Sequence, residues 1–213
     1  MCRLLLCLLA SGLPIACSAA PPDSGSKAVQ SERWATPVKH DANLYRIDDK
    51  LYRSEQPVAE DGEAIVKLGI QSVINLRFFD RNDDDHLKEY GLTLLNRPLL
   101  SWSIKPKEIA EILYLIEKQQ QNGAVLIHCY HGADRTGLIA GMYRIIYQGW
   151  SVEEAKAEMQ HGPYGYHSIW KNIANLRPLQ NSFFPTAEIQ TQVFGCFYFK
   201  YPLILLKYPL NPP

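Results

Sequence analysis

The sequence predicts an α/β domain with a central, mostly parallel sheet of four to five strands flanked by helices. Apolar runs of strand length alternate with longer amphipathic segments through the middle of the chain, and turn residues separate them. No internal repeat interrupts this alternation. The 213 residues, 46% of them hydrophobic, suffice for one domain with a proper core.

The first half of the domain predicts three strands and one helix before an acidic segment. Short strands at 43–47 and 50–57 meet at the turn "DDK", and a helical pattern over 60–69 ends at Gly69. A buried strand follows at 71–79. The run "DRNDDD" (80–85) is expected to be a solvated loop or a helix start, and 91–99 is a further strand.

The second half holds the clearest helix of the sequence, over 105–123, with Pro106 near its start and Gly123 as its stop. Residues 124–129 form a short apolar strand that runs straight into a loop, and a mostly apolar helix follows over 136–149. Ser151 and Glu154 have capping-box spacing, which predicts one more helix over 151–162.

The two ends of the chain differ from this domain. Residues 1–20 resemble a signal peptide, and "LPIAC" resembles a lipobox that would make Cys17 the lipidated first residue of an exported protein, periplasmic or anchored in a bacterial envelope. Ordinary cleavage near residue 19 or 20, or an uncleaved anchor, are the alternatives. Residues 21–42 are expected to be a flexible linker, 43–180 the domain, and 181–213 an extension of unclear role.

Charge and cysteine content limit which binding partners and cofactors the protein can have. Twenty-two basic and twenty-two acidic residues cancel, so the overall charge attracts neither nucleic acid nor an anionic membrane surface. Of the five cysteines only Cys17, Cys129 and Cys196 remain after cleavage at Cys17, without the spacing of a disulfide framework or a metal cluster. We expect no metal, no other cofactor, and a monomer.

The segment "IHCYHGADRTG" (127–137) carries the chemistry. A strand that ends at Cys129, a five-residue turn and a helix that begins near Arg135 would aim several backbone N–H groups at one point beside the thiol, and such a point binds a tetrahedral anion. Gly132 allows the backbone to curl, and Arg135 adds a two-pronged donor for phosphate oxygens.

The same groups should stabilise a thiolate on Cys129. The thiolate would attack the phosphorus of a bound ester and form a phosphocysteine, which water then hydrolyses. The Thr136 hydroxyl, close to the sulfur, could stabilise the departing thiolate. His128 is expected to orient the loop by hydrogen bonds.

The pattern H-C-x(5)-R-T-G after an apolar strand resembles the signature of the cysteine-dependent tyrosine and dual-specificity phosphatases, and the flanking segments from 43 to 177 are similar to its compact bacterial dual-specificity-like group. The resemblance implies a phosphotyrosine-phosphatase-like fold. It also implies Cys129 as nucleophile, Arg135 as phosphate clamp and Thr136 as leaving-thiolate helper. The implied phosphate cradle consists of the amides of Tyr130, His131, Gly132, Ala133, Asp134 and Arg135.

The sequence lacks the general acid that the family pattern places before the cysteine. Relatives usually carry an Asp on a loop some thirty residues before the Cys, whereas "NRPLLSWSIKPKE" (96–108) has none, and its Glu108 falls inside a helix. Asp134 could protonate the leaving oxygen or orient Arg135. Asp80, Asp83, Asp84 and Asp85 follow a strand whose end should face the site, so one of them could reach in, although a solvated loop is the favoured interpretation.

Other side chains have two interpretations each. His131 could contact substrate or stabilise the loop, and His167 could support the pocket or be a buried, hydrogen-bonded histidine. Trp102 and Tyr130 could line the mouth of the pocket, with core packing as the alternative for Trp102.

The expected substrate is a phosphorylated protein or a small phosphoester of modest charge, because the variable positions of the loop hold no Lys. A non-catalytic phosphate-binding envelope lipoprotein is the main alternative. A sulfurtransferase of the rhodanese type fits the pattern less well.

Overall fold

The computed structural model describes residues 32–79 and 83–183. The predicted signal peptide, Cys17, most of the linker, Asp80 and nearly all of the 181–213 extension lie outside the described residues. No helix in the described ranges is long and apolar enough to cross a membrane.

A six-stranded mixed sheet forms the centre of the domain, in the order β1-β2-β3-β6-β4-β5. The pairs β3–β6, β4–β6 and β4–β5 are parallel, and β1–β2 and β2–β3 are antiparallel. The strands are β1 (Thr36–Lys39), β2 (Leu44–Arg46), β3 (Leu51–Ser54), β4 (Ile70–Asn75), β5 (Thr93–Asn96) and β6 (Ala124–His128). The predicted α/β class is confirmed.

Strand β1 corrects two sequence-based expectations. It raises the strand count from the predicted four to five to six, and it lies inside the segment 21–42 that was predicted to be linker. Its side chains are mostly exposed, so it lacks the hydrophobic signal of a strand and joins the sheet through backbone pairing with β2. Ala35 is already buried, so the folded domain begins before residue 43.

The described residues form five α-helices, of which the first four lie at or near their predicted positions. The fifth was not predicted, and it continues past residue 180, where the domain was expected to end. The five helices are α1 (Gly62–Lys67), α2 (Pro106–Gln119), α3 (Asp134–Gln148), α4 (Val152–His161) and α5 (Leu176–Phe183). Ser151 and Glu154 form the expected capping box at the start of α4. Three short 3₁₀ helices lie at His40–Ala42, Ala59–Asp61 and Asp85–Tyr90.

Alternation along the central strand β6 divides the apolar core into two layers. Val125 and Ile127 belong to the larger cluster, which includes buried residues of α2, α3, α4 and α5. Ala124 and Leu126 face the smaller cluster, with Ile65 of α1. Because the sheet is covered on both faces, β6 is buried along its whole length, and its last residues reach the site from inside the domain.

A buried ion pair connects α3 and α4 beneath the larger layer. The guanidinium of Arg144 donates to both carboxylate oxygens of Glu158, with Nε–Oε2 of 2.9 Å and Nη2–Oε1 of 2.8 Å. Glu158 also accepts hydrogen bonds from the Tyr164 hydroxyl and the Ala35 amide. Burial raises the pKa of Tyr164, so its hydroxyl stays neutral and donates. One carboxylate therefore connects two helices, the start of the domain and the segment after α4.

We predict that Glu158→Gln lowers the free energy of unfolding by about 3 to 5 kcal/mol, because it leaves the buried charge of Arg144 without its counter-ion. Urea denaturation at neutral pH measures this loss. Glu153→Gln is the control on the same helix, because Glu153 pairs with Arg177 at the exposed surface, where such a pair contributes about 1 kcal/mol or less. Equal losses for the two variants would contradict the prediction.

Candidate active site

The loop that carries the cysteine lies at the carboxyl end of the sheet, between β6 and α3. Cys129 directly follows β6 and is buried, and α3 begins at Asp134, two residues before the predicted range 136–149. Strands β3 and β4 flank β6, so the residues that follow them, from Glu55 and from Leu76 onward, surround the loop. A parallel sheet thus places the thiol where its neighbouring strands also end.

The backbone of the loop is turned so that its carbonyl groups point outward. Four successive carbonyl oxygens accept hydrogen bonds: from Gln56 N to Tyr130 O (3.0 Å), Asn43 Nδ2 to His131 O (2.8 Å), Arg53 Nη2 to Gly132 O (2.7 Å) and Gly137 N to Ala133 O (2.9 Å). Within the described parts of the chain, no acceptor pairs with the N–H groups of Tyr130 to Arg135. These amides are therefore available to an anion, as the sequence predicts.

A glycine is required at position 132 for two reasons. Its φ of +69° lies in the left-handed region, and a Cβ at this position would come within 2.6 Å of the backbone of Ser54 and Glu55. The loop therefore packs directly on the chain that leaves β3, with no room for a side chain.

Arg135 is half-buried, and its Nη1 donates to the carbonyl oxygen of Leu76 at 3.4 Å. Leu76 directly follows β4, and its own amide donates to the carbonyl oxygen of His128. The guanidinium is thus held at the strand edge beside the loop. Its remaining N–H groups could bind phosphate oxygens.

Thr136 lies in the first turn of α3 and is fully buried. Its hydroxyl has no hydrogen-bond partner among the described residues. A buried hydroxyl without a partner is costly, and a catalytic role is one explanation for such a group. This environment suits the predicted role beside the sulfur.

Support for the loop comes from His128, the residue before the cysteine. Its Nδ1 lies 3.2 Å from the carbonyl oxygen of Cys129, and its Nε2 lies 3.1 Å from Oδ2 of Asp84. Gln56 donates to the other oxygen of Asp84 at 2.6 Å. Burial alone would raise the pKa of Asp84, but hydrogen bonds from His128 and Gln56 outweigh it and lower the pKa.

The acidic run is therefore not simply the solvated loop that was favoured. Asp84 is buried against His128, whereas Asp83 pairs with Arg77 and Asp85 pairs with Lys88 at the surface. The expectation was wrong for Asp84 because its partner lies 44 residues away along the chain, where a local pattern gives no signal.

Asp134 contacts His167 instead of Arg135. Its Oδ1 accepts a hydrogen bond from the His167 amide at 2.9 Å, and its Oδ2 lies 2.8 Å from Nδ1 of the same residue. The His167 side chain is 47% exposed, so the interpretation as a buried histidine was wrong, and the other interpretation, support of the pocket, agrees with the structure. The His167 ring centroid lies 5.4 Å from that of His131.

The two aromatic residues expected at the mouth of the pocket are both exposed, but only Tyr130 belongs to the loop. Tyr130 is 55% exposed, with the guanidinium of Arg77 5.1 Å from its ring centroid and the His131 ring edge-on at 4.6 Å. Trp102 is 64% exposed, so the core interpretation was wrong. It lines a separate surface pocket with Asn172, Leu179 and other residues outside the loop.

Arg53 is a site residue that sequence analysis missed. It is almost fully buried in β3, its Cζ lies 3.7 Å from the ring centroid of Tyr164, and it donates to the loop at Gly132. An arginine within the strand "LYRS" was the available signal, because a strand buried on both faces rarely holds a charge without a partner.

In the part of the chain that the structure describes, no three His, Cys, Asp or Glu side chains lie close enough together to bind a metal ion.

Residues 48–149 match the family model described as "Polymorphic toxin system, DSP-PTPase phosphatase". Among curated proteins, the chain is 36% identical to the dual specificity protein phosphatase TpbA of Pseudomonas aeruginosa over 138 residues, which are 65% of this chain and 62% of the relative. It is 29% identical over 129 residues to inositol diphosphatase DSP2 of rice, Oryza sativa, covering 56% and 61% of the two chains. The chain thus spans less than two thirds of these curated relatives.

Solved structures extend the comparison over the folded domain. The crystal structure of P. aeruginosa TpbA has 30% identity and a TM-score of 0.66, and the match covers 78% of this chain and 99% of that one. A TpbA variant in complex with phosphotyrosine has 31% identity and a TM-score of 0.65, with 70% and 95% covered. With the loop geometry and these two matches together, the chain belongs to the bacterial dual-specificity-like group of cysteine-dependent phosphatases.

Proposed function

We propose that this protein hydrolyses phosphate monoesters through a phosphocysteine intermediate. The observation that carries the proposal is the orientation of the loop backbone, whose four outward carbonyl groups leave a series of N–H groups free beside Cys129. A ring of amides at a helix N-terminus, with an arginine beside it, fits a tetrahedral dianion.

In the first step the Cys129 thiolate attacks phosphorus from the base of the loop. An S–P bond forms as the bond to the ester oxygen breaks, and the loop amides with Arg135 stabilise the three equatorial oxygens of the transition state. Because the amides are already fixed by their outward carbonyl partners, little reorganisation is needed during the reaction.

In the second step water attacks the phosphocysteine and the sulfur leaves as a thiolate. The buried hydroxyl of Thr136 can donate a hydrogen bond to the sulfur as negative charge returns to it. That hydrogen bond strengthens as the S–P bond breaks, so it lowers the barrier of this step in particular.

The proposed substrate is a phosphotyrosine, phosphoserine or phosphothreonine residue or a small phosphoester. Residues 130–134 contain no Lys or Arg, and the nearby Arg77 already binds Gln56 and Asp83, so little free positive charge surrounds the loop for a polyphosphate. The phosphotyrosine bound to a TpbA variant supports this class over the diphosphoinositol substrate implied by the names of the plant relatives.

We also propose that the protein is exported and anchored through a lipid on Cys17. The support is the leader-like sequence of residues 1–20, with its apolar run and the "LPIAC" segment. Fractionation of cells that express the full chain and its Cys17→Ser variant tests this proposal, because only the unaltered chain should remain with membranes after a salt wash.

We predict that Cys129→Ser abolishes hydrolysis of an aryl phosphate and leaves binding of inorganic phosphate intact, because the amides and Arg135 remain. Steady-state kinetics and calorimetric phosphate titration measure the two properties. Equal turnover by both proteins would exclude the cysteine mechanism. Phosphate binding without turnover in either protein would instead favour a non-catalytic phosphate-binding module.

We predict that Thr136→Ala slows the second step about 10- to 100-fold, the effect of about 1.5 to 3 kcal/mol for a hydrogen bond to a charged group. A burst of released alcohol followed by slow turnover, with the phosphocysteine visible by mass spectrometry, is the expected signature. Thr136→Ser keeps the hydroxyl and should show no burst. A uniform slowing without accumulated intermediate would assign Thr136 a purely structural role.

We predict that Gly132→Ala removes activity and destabilises the domain more than Gly91→Ala does. The two glycines have nearly the same φ, +69° and +74°, but a Cβ on Gly91 has nothing within 4 Å. The control therefore isolates the conformational cost of about 1 to 2 kcal/mol. The free energy of unfolding and the turnover of both variants are measured, and the extra loss in Gly132→Ala is the effect of the steric clash with β3. Equal losses in the two variants would mean that the loop can move away from β3.

A further inference from the structure

The proton donor for the leaving group is the missing part of the mechanism proposed above. Expulsion of an alkoxide or phenoxide needs a positioned acid, which contributes roughly 10² to 10⁴ in rate. The segment 96–105 contains no carboxylic acid, and Glu108 belongs to α2, where it caps the helix by accepting from the Lys105 amide. The donor must therefore come from another part of the site.

The carboxyl groups that follow β4 are poorly suited to this task in the described structure. Asp83 is paired with Arg77, Asp85 with Lys88, and Asp84 accepts hydrogen bonds from His128 and Gln56, with its pKa lowered as a result. Each of these three carboxyl groups is already occupied by a partner other than a substrate. Glu55 is different, because burial raises its pKa, and it remains a rival for the role.

Asp134 is likewise arranged as an acceptor. Both of its oxygens are occupied by His167, one by the backbone amide and one by the ring. The backbone N–H can only donate, and a ring Nδ1 that carries a proton donates in the same way. In that state the carboxylate fixes the orientation of the imidazole, as an aspartate does for a catalytic histidine elsewhere.

His167 lies beside the phosphate loop and is accessible to solvent. Its Nδ1 faces Asp134 in the phosphate loop, its ring lies 5.4 Å from the ring of His131 in the same loop, and its side chain is 47% exposed. Attack by Cys129 from the base of the loop expels the leaving oxygen on the opposite, open side. A half-exposed imidazolium on the rim of the loop is suited to meet that oxygen.

We propose that the His167 imidazolium is the general acid of this enzyme, with Asp134 as the residue that positions it. This inference rests on the phosphatase function proposed above. It assigns the proton transfer to a histidine on the segment after α4, in place of an aspartate on the loop after β5.

The two half-reactions balance with this single proton carrier. As the S–P bond forms, the P–O bond breaks, its electron pair moves to the leaving oxygen, and that oxygen takes the proton from Nε2 of His167. The neutral imidazole, still hydrogen-bonded to Asp134, then accepts a proton from the water that attacks phosphorus. The S–P bond breaks, its electron pair returns to the Cys129 thiolate, and inorganic phosphate leaves.

Two described titratable side chains face the His167 ring, Asp134 at the start of α3 and His131 in the loop. Glu55 acts electrostatically on His131 and so belongs to the same group of charges. The two carboxyl groups, Asp134 and Glu55, are therefore substituted in the test.

The test compares hydrolysis of 2,4-dinitrophenyl phosphate, whose leaving group needs no proton, with hydrolysis of phenyl phosphate, whose leaving group does. His167→Asn keeps a side-chain donor near the position of Nδ1 and removes Nε2. We expect it to lower kcat for phenyl phosphate about 100-fold or more and to change kcat for dinitrophenyl phosphate less than about 10-fold. His161→Asn, at the exposed end of α4, is the control and should change neither rate.

The same two substrates discriminate the rivals. If Asp134→Asn or Glu55→Gln showed a larger leaving-group-dependent loss than His167→Asn, that carboxyl group would be the acid and the proposal would be overturned. Equal losses on both substrates for His167→Asn would reduce His167 to a structural role. If the unaltered protein hydrolysed neither substrate, the phosphatase function itself would fail, which is a different outcome.

Chemical rescue provides a second measurement. We expect added imidazole to restore phenyl phosphate hydrolysis by His167→Ala several-fold and to leave dinitrophenyl phosphate hydrolysis unaffected. Protection of Cys129 from alkylation by inorganic phosphate shows that the loop of the variant is still folded. A folded variant without rescue, together with unchanged leaving-group sensitivity of His167→Asn, would contradict the assignment.

Discussion

The phosphate loop depends on one constraint, the outward direction of its carbonyl groups. A peptide unit carries its N–H and C=O on opposite sides, so fixing the oxygen against the protein turns the N–H toward the centre of the loop. The external donors come from three separate places, Asn43 before β2, Arg53 within β3 and Gln56 after β3. The shape of the binding surface therefore depends on donors that lie outside the loop.

Arg53 connects the phosphate loop to polar groups in the interior of the domain. Burial lowers the pKa of Arg53, and attraction to Tyr164, Glu158 and Cys129 acts in the opposite direction. Tyr164 itself donates to Glu158, which holds Arg144, so a continuous polar series runs from the helix pair α3 and α4 to the underside of the loop. Negative charge on the Cys129 sulfur would offset part of the cost of burying this arginine. Folding stability and the ionisation of the nucleophile are thus expected to be coupled.

Sequence analysis succeeded where the signal is local. The predicted strands and helices, the Ser151 capping box and the loop with Cys129 and Arg135 six positions apart depend on neighbours along the chain, and all of these elements are present. It failed where the determining partner is distant. Strand β1 has exposed side chains and pairs only through its backbone, Asp84 meets His128 across 44 residues, and Asp134 meets His167 across 33. An acidic residue shows its charge in the sequence but not the group that neutralises it.

The pair of Asp134 and His167 also resolves an electrostatic difficulty. A carboxylate within a loop that binds a phosphate dianion should repel it, and in a site of low effective dielectric constant that repulsion is severe. In the proposed mechanism, protonation of His167 makes the pair neutral when the substrate binds. Once the proton has moved to the leaving oxygen, the pair carries a net negative charge beside the phosphocysteine, and it regains neutrality by taking a proton from the attacking water. The same electrostatic demand thus favours proton donation in the first step and proton acceptance in the second.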